Sequence, residues 1–345
     1  MLKIDAYAHI LPQKYLEALY KKSSAKRDFG ELVSRRAGLH DLETRFRIFD
    51  RHEGYRQILT IAEPPVEDVA NPKVATELAK IANDEMAELV SRYPDMFLAA
   101  VACLPMNNMD AVLEEVDRAI VDLKFRGVQI TTNIMDKPID SPEFEPLFEK
   151  INYYNLPVLM HPRNMRSGPR AFNREEMAKD QVGLLAQGSF NWPFETTIAM
   201  GRIVYSGMLD KYPNLKILTH HCGGLAPYQP GRIPSKPLVT EVRRGLKSGQ
   251  RFMEKPVDYY RMIYGDTACW GNTAVLMCGY AFFGVQHILF GTDMPFGAEG
   301  GEWFVRETIR SVEEMNIPQE DKKKIFEDNA KEFFRLPVAE RSSTI

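Results

Sequence analysis

Short apolar runs of strand length recur along the chain at 2–6, 56–62, 97–103, 127–131, 156–161, 215–220, 260–265 and 287–292. Segments with helical periodicity lie between most of them. In the clearest, 72–92, Val74, Leu78, Ile81, Met86, Leu89 and Val90 recur at the three-to-four-residue spacing of an amphipathic helix. Further helices are predicted over 109–124, 142–154, 195–211 and 318–335, and Tyr93-Pro94 and Tyr212-Pro213 supply stop signals. Eight strands alternating with helices predict an α/β protein of the closed (β/α)8 TIM-barrel type. No linker-like segment or fixed-period repeat divides the chain, so residues 1–345 read as a single barrel domain with insertions near 13–50 and 162–194.

The ends of these runs carry the candidate chemistry. Asp5 and His9 close the first run, His161 the fifth and Asp293 the last, while the run at 215–220 delivers His221. In a barrel the C-terminal strand ends face the mouth where reactions take place, so these side chains converge from distant parts of the chain. Imidazole nitrogens and carboxylate oxygens together suit zinc or another divalent ion. Each residue also has an ordinary reading: an Asp after a strand caps the next helix, and a lone histidine is more often a satisfied structural residue. Their company is what favours a site. His221 reads as a third imidazole ligand or a proton shuttle. Because adjacent strand residues point to opposite faces, only one of His220 and His221 is expected to face the mouth. Gly223-Gly224 permits close backbone approach beside it. The fourth run ends in Thr131-Thr132-Asn133 without a lysine that could bridge two ions, so one metal per chain is expected.

Composition narrows the rest. With 44% hydrophobic and 26% charged residues the chain can bury a sizeable core, and a net charge of −3 without a basic stripe gives no reason to expect a nucleic-acid partner. No uncharged apolar run approaches the roughly 20 residues that span a bilayer. The four cysteines form no C-x-x-C pair and lack the density of a disulfide framework, so they read as reduced and the protein as cytoplasmic. The insertion at 162–194 holds Arg163, Arg166, Arg170, Phe190, Trp192 and Pro193. That mixture suits an anionic, planar ligand as well as it suits a solvated loop packed on the barrel.

Taken together, Ile4-Asp5 with His9 and Ile10-Leu11-Pro12, then Ala82-Asn83-Asp84, Leu104-Pro105, Gly127-Val128-Gln129-Ile130, His161-Pro162, His221-Cys222-Gly223-Gly224, Gly231-Arg232, Gly291-Thr292-Asp293-Met294-Pro295-Phe296 and Asn329-Ala330 carry a resemblance. In this order over nearly the whole chain, they resemble the metal-dependent amidohydrolase superfamily, in the branch of aminocarboxymuconate-semialdehyde decarboxylase and related aromatic acid decarboxylases. The resemblance implies that His9, His161 and Asp293 bind zinc and that His221 is the acid or base. It also implies that Arg232 reaches a substrate carboxylate, in the semialdehyde decarboxylases from the neighbouring subunit of a dimer. Two positions depart from the pattern. Tyr7 stands where the family places histidine or glutamate, and reads as a weak ligand, a hydrogen-bond donor behind the ligands or a substrate contact. Gly224 stands where the aromatic acid decarboxylases place glutamate.

The resulting expectation is a decarboxylase of a small unsaturated or aromatic carboxylic acid, dependent on Zn2+ or another divalent metal, acting as a homodimer or higher homo-oligomer. His221 and Asp293 are the catalytic candidates; Arg232, Arg163, Tyr7, Trp192 and Phe296 are the substrate contacts. A hydrolase of an amide, lactone or similar bond is the alternative, because one ion, one water and one proton carrier serve both reactions. Tyr7 also leaves open a catalytically silent binding protein on the same barrel.

Overall fold

The computed structural model describes residues 1–23, 33, 36–61, 63–165, 181–233 and 255–337, the side chains of 181–188 excepted. Arg166 and Arg170 lie outside the described residues.

All eight expected strands are present. They are β1 (Lys3–Ile10), β2 (Tyr55–Ile61), β3 (Phe97–Ala100) and β4 (Val128–Thr131), then β7 (Pro157–His161), β8 (Lys216–Thr219), β9 (Tyr264–Asp266) and β10 (Ile288–Leu289). Between the two groups, β5 (Asn133–Ile134) and β6 (Lys137–Pro138) form an antiparallel ribbon that the apolar pattern did not signal, because β6 is exposed. The long strands pair in parallel as β1-β2-β3 and β4-β7-β8-β9-β10. Two seams join these sheets into a barrel. Ala102 bridges Val128, with its N–H donating to Gly127 O at 2.9 Å. Ala8 bridges Met294, and the His9 N–H donates to Met294 O at 2.7 Å.

The barrel interior is filled by Ile4, Ala6, Ile58, Leu159, Leu218 and Leu289, closed from below by Phe333 and Phe334. A separate, larger apolar layer lies between strands and helices. The helix Pro72–Arg92 has its expected bounds, with Asn71 accepting from the Val74 N–H and Pro72 in the first turn. Its fully buried face is set by Ala75, Leu78, Ala79, Ala82 and Met86, while Val74, Ile81, Leu89 and Val90 are only half-buried. Alanines allow this helix to approach the barrel closely, which a count of large apolar residues overlooks. Among its described residues, the 13–50 excursion includes the α-helices Gln13–Lys22 and Leu42–Arg51 and the short 3-10 turn Ala37–Leu39.

Strict alternation fails within β1, whose register shifts between Asp5 and Ala8. Both Ala6 and Tyr7 consequently join the interior cluster. Asp5, expected at the mouth, instead joins β1 to the last strand. It accepts from Tyr55 Oη at 2.5 Å, from the Tyr7 N–H at 3.0 Å, from the Thr292 N–H at 3.0 Å and from the Thr292 hydroxyl. Burial raises its pKa to about 6 against the pull of these donors. Asp5 is therefore structural, and Asp5→Ala should test this directly. Loss of the acceptor strands two buried hydroxyls, at about 1–3 kcal/mol each. Urea unfolding should show the loss, with bound metal per folded chain unchanged; a fall in metal content without destabilisation would contradict the assignment.

Candidate metal centre

Four strand ends, those of β1, β7, β8 and β10, bring His9, His161, His220, His221 and Asp293 to one point at the mouth. The donor atoms of His9, His161 and His220 lie within 4.8 Å of one another, as do those of His220, His221 and Asp293. Asp293 Oδ1 is 3.3 Å from His9 Nε2 and 3.2 Å from His220 Nε2. Neither contact has hydrogen-bond geometry, so both buried Nε2 atoms are without a hydrogen-bond partner among the described residues.

The chemistry of this arrangement follows from what the outer ring nitrogens do. His161 Nδ1 lies 2.8 Å from Pro162 O and His221 Nδ1 3.0 Å from Ala268 O. A carbonyl only accepts, so each Nδ1 carries the hydrogen and each neutral ring turns an electron pair inward at Nε2. His220 Nδ1 is hydrogen-bonded to the Asp266 carboxylate. His9 Nδ1 is 2.9 Å from Thr60 Oγ1. Burial, reinforced by neighbouring positive charge, holds His161 well below its ordinary pKa, and burial outweighs Asp293 in lowering His9. His221 falls to about 4 through burial and the proximity of His220. Burial also opposes charge on His220, but Asp266 and Asp293 outweigh it and push the value up to about 10. Asp293, despite burial, is held well below the usual carboxylate range by His220 and His9. Inward-facing electron pairs and a carboxylate on one point require a cation, and the donor set fits a divalent metal.

Local backbone explains why both neighbouring histidines face inward. His220 is extended, whereas His221 and Cys222 adopt φ of +54° and +52°, so the alternation of β8 ends at His220. The expectation that only one of the pair faces the mouth is corrected by this turn, and His220 stacks on His221 with centroids 4.0 Å apart. Asp293 also sits at positive φ, +65°, its N–H donating to Tyr7 O. A Cβ at Gly224 would collide with Pro193 O and lie 2.7 Å from Thr197 Oγ1, so the helix Gln181–Ser206 excludes a side chain there.

The remaining expected residues divide. Trp192 lies 6.2 Å from the His161 ring and Phe296 5.6 Å from the His9 ring. Tyr7 reaches the cluster, stacked at 4.1 Å on His220, and its buried hydroxyl has no hydrogen-bond partner among the described residues. Arg232 is exposed on the turn Pro230–Arg232. Arg163 is not placed to meet a ligand: it is buried, bidentate to Asp68 at 2.6 and 2.8 Å, and bonded also to Asp136 and Asn133. These acids consume its charge, which corrects its expected role as a substrate contact. The sequence reading missed Asp266, the acidic end of β9, and also Arg36, whose guanidinium lies 5.0 Å over the Phe296 ring. Trp270, 6.3 Å from the His221 ring, was missed as well.

Known proteins place this geometry in context. The amidohydrolase family profile matches residues 4–336. Gamma-resorcylate decarboxylase of a Polaromonas species is 30% identical over 90% of this chain and 91% of its own length. The 2-amino-3-carboxymuconate-6-semialdehyde decarboxylase of Dictyostelium discoideum is 26% identical over 97% of this chain and 92% of its own. A solved dihydroxybenzoic acid decarboxylase from Polaromonas, with bound manganese and the inhibitor 2-nitroresorcinol, superposes with a TM-score of 0.76 at 27% identity, covering 98% of each chain.

The electrostatics generate one prediction for the metal-free protein. His220 should remain an imidazolium well above the ordinary 6.5, titrating near 10. With the folded value above the unfolded one, the stability this proton contributes is complete below pH 6.5 and is lost as pH rises through 10. Imidazole NMR should show the late titration vanish in His220→Gln and shift downward in Asp266→Asn. A His220 signal titrating near 6.5 would contradict it.

Proposed function

We infer that this chain, which belongs to the amidohydrolase family, is a metal-dependent carboxy-lyase acting on an aromatic carboxylic acid. The observation that carries the reading is the histidine and carboxylate cluster collared by Trp192, Phe296 and Trp270. Such a collar suits a planar ring, and the relatives that match nearly the whole chain decarboxylate acids of related kind.

His9, His161 and Asp293 would hold the ion. Bound there, it supplies positive charge that polarises substrate oxygens beside the carboxylate. The imidazole-rich set favours zinc, whereas the solved Polaromonas relative carries manganese. Decarboxylation breaks the bond from ring carbon to carboxylate, releases carbon dioxide and puts a proton on the same carbon. His221 is assigned to carry that proton at Nε2, because Ala268 O fixes its Nδ1–H. Asp293, held as a carboxylate at the centre, balances the charge and is the second catalytic candidate. Tyr7 packs beneath the cluster, and the aromatic collar orients the ring. We assign the substrate carboxylate to Arg232 of a neighbouring subunit, since a guanidinium fork matches a carboxylate and stays charged at any working pH. Unpaired thiols at Cys103, Cys222, Cys269 and Cys278 support a reducing, cytoplasmic setting.

Turnover over a panel of hydroxylated aromatic acids, amides and lactones should release carbon dioxide from the acids. Hydrolysis without gas release would establish the alternative chemistry. His221→Asn should keep its metal and lose about 10²–10⁴ in kcat; loss of metal would make His221 a ligand, and full activity would remove it from the reaction.

Arg232→Ala should raise KM strongly without changing metal content. Mixed with inactive His161→Ala chains, it should recover activity, because each hybrid dimer then holds one intact site. Verified hybrids without recovery would exclude the contribution across subunits.

A further inference from the structure

We propose that His220 is itself a protein ligand of the divalent ion, filling the position that Tyr7 vacates on the first strand. This assignment rests on the metal-dependent reading above and deepens it.

Tyr7 stands where the resemblance places a histidine or glutamate. Its hydroxyl is buried and lacks a hydrogen-bond partner among the described residues, and what its side chain does offer is a ring face stacked on His220 at an interplanar angle of 21°. A neutral phenol is a poor donor to a metal, so the first strand contributes His9 alone. His220 offers what is missing. It is completely buried, its Nε2 makes no hydrogen bond among the described residues, and that atom lies among the donors of His9, His161 and Asp293.

The support behind His220 is that of a built ligand. Nδ1 is held by one Asp266 oxygen. The other oxygen accepts from the Cys222 and Ala268 N–H groups, both at 3.1 Å. A carboxylate that grips the outer nitrogen fixes ring and tautomer and makes the inner nitrogen a stronger donor. The Tyr7 face pins the same ring from one side and His221 from the other, at centroid distances of 4.1 and 4.0 Å. With His9, His161 and Asp293, His220 restores a set of four protein donors. His221 then stands one ring outside that set, where a proton carrier belongs.

The test uses the full chain, stripped of metal and titrated with zinc against a chromophoric chelator, with cobalt absorption as a second readout. Losing a partner that merely orients a metal-bound histidine costs about 10–100-fold in affinity, and Asp266→Asn should fall in that span. His220→Ala should lose more than this and should change the cobalt spectrum. Tyr7→His combined with His220→Ala should regain at least tenfold over His220→Ala alone, because it returns an imidazole to the first strand. His220→Ala that folds by circular dichroism yet binds zinc as tightly as the unmodified chain would overturn the proposal. So would a double variant no tighter than the single one. Should His220→Ala fail to fold, X-ray absorption of the zinc-loaded unmodified chain and of His221→Asn decides: three imidazoles in both support the assignment, and two in either refute it. An unmodified chain that binds no divalent ion would instead overturn the metal-dependent reading itself.

Discussion

Each mouth histidine commits its outer nitrogen to an oxygen of the surrounding scaffold, and for His161 and His221 that oxygen is a carbonyl, which cannot return a proton. The inner nitrogens are then obliged to present electron pairs to one another and to Asp293. In a buried site such an assembly is repulsive unless a positive charge occupies its centre. Without metal, the arrangement can be neutralised by a proton on His220, which explains why its pKa rises while those of His9, His161 and His221 fall. A divalent ion answers the same requirement with more charge. The scaffold thus selects for a cation before any substrate is considered.

That selection holds only if the strand ends stay in register, and the seam between first and last strands is where they are tied. His9 and Asp293 face each other because the His9 N–H bonds Met294 O and the Asp293 N–H bonds Tyr7 O. Below the seam, Asp5 gathers donors from β1, β2 and the segment after β10. From the helical side, the buried Arg45 donates to the His9 carbonyl, to Gly38 O at 2.8 Å and to Gln57 Oε1 at 2.6 Å. Three backbone acceptors and donors of the site are thereby fixed by groups that never touch the ion. Positive φ at His221, Cys222 and Asp293 is carried in the same region, where surrounding bonds sustain conformations that would be costly in isolation.

The barrel was legible because parallel strands buried on both faces read as continuous apolar runs, and each of the eight overlaps its run, β9 only at Tyr264 and Gly265 because the run at 260–265 starts at the end of the helix Pro256–Tyr260. His9, His161 and Asp293 were legible for the same reason: each ends such a run. What escaped depends on local backbone rather than pattern. Asp5 was assigned to the mouth because a register shift within β1 is invisible in the sequence. His220 was set against His221 because alternation was carried one residue too far, past the left-handed turn that starts at His221. Arg163 looked available because Asp68, 95 residues away, gives no local sign of its partnership. Asp266 could have been found, since it ends an apolar run as Asp293 does.

Ligand identity and ligand position are separable in a barrel. Strand ends around the mouth approach a common point, so a donor lost from one strand can be supplied by another without moving the centre. Tyr7 and His220 lie on β1 and just beyond β8, yet their rings are in van der Waals contact, which is the proximity such an exchange needs. A phenol at position 7 also does what an imidazole there would not: its broad apolar face fills the space between barrel floor and cluster, and its burial among Ile4, Ile58 and Leu218 keeps water from below. The price is a hydroxyl without a hydrogen-bond partner among the described residues, about 1–3 kcal/mol of lost hydrogen bonding. Holding His220 flat against that face offsets part of it, because a ligand whose rotamer is already fixed loses little entropy when the ion arrives.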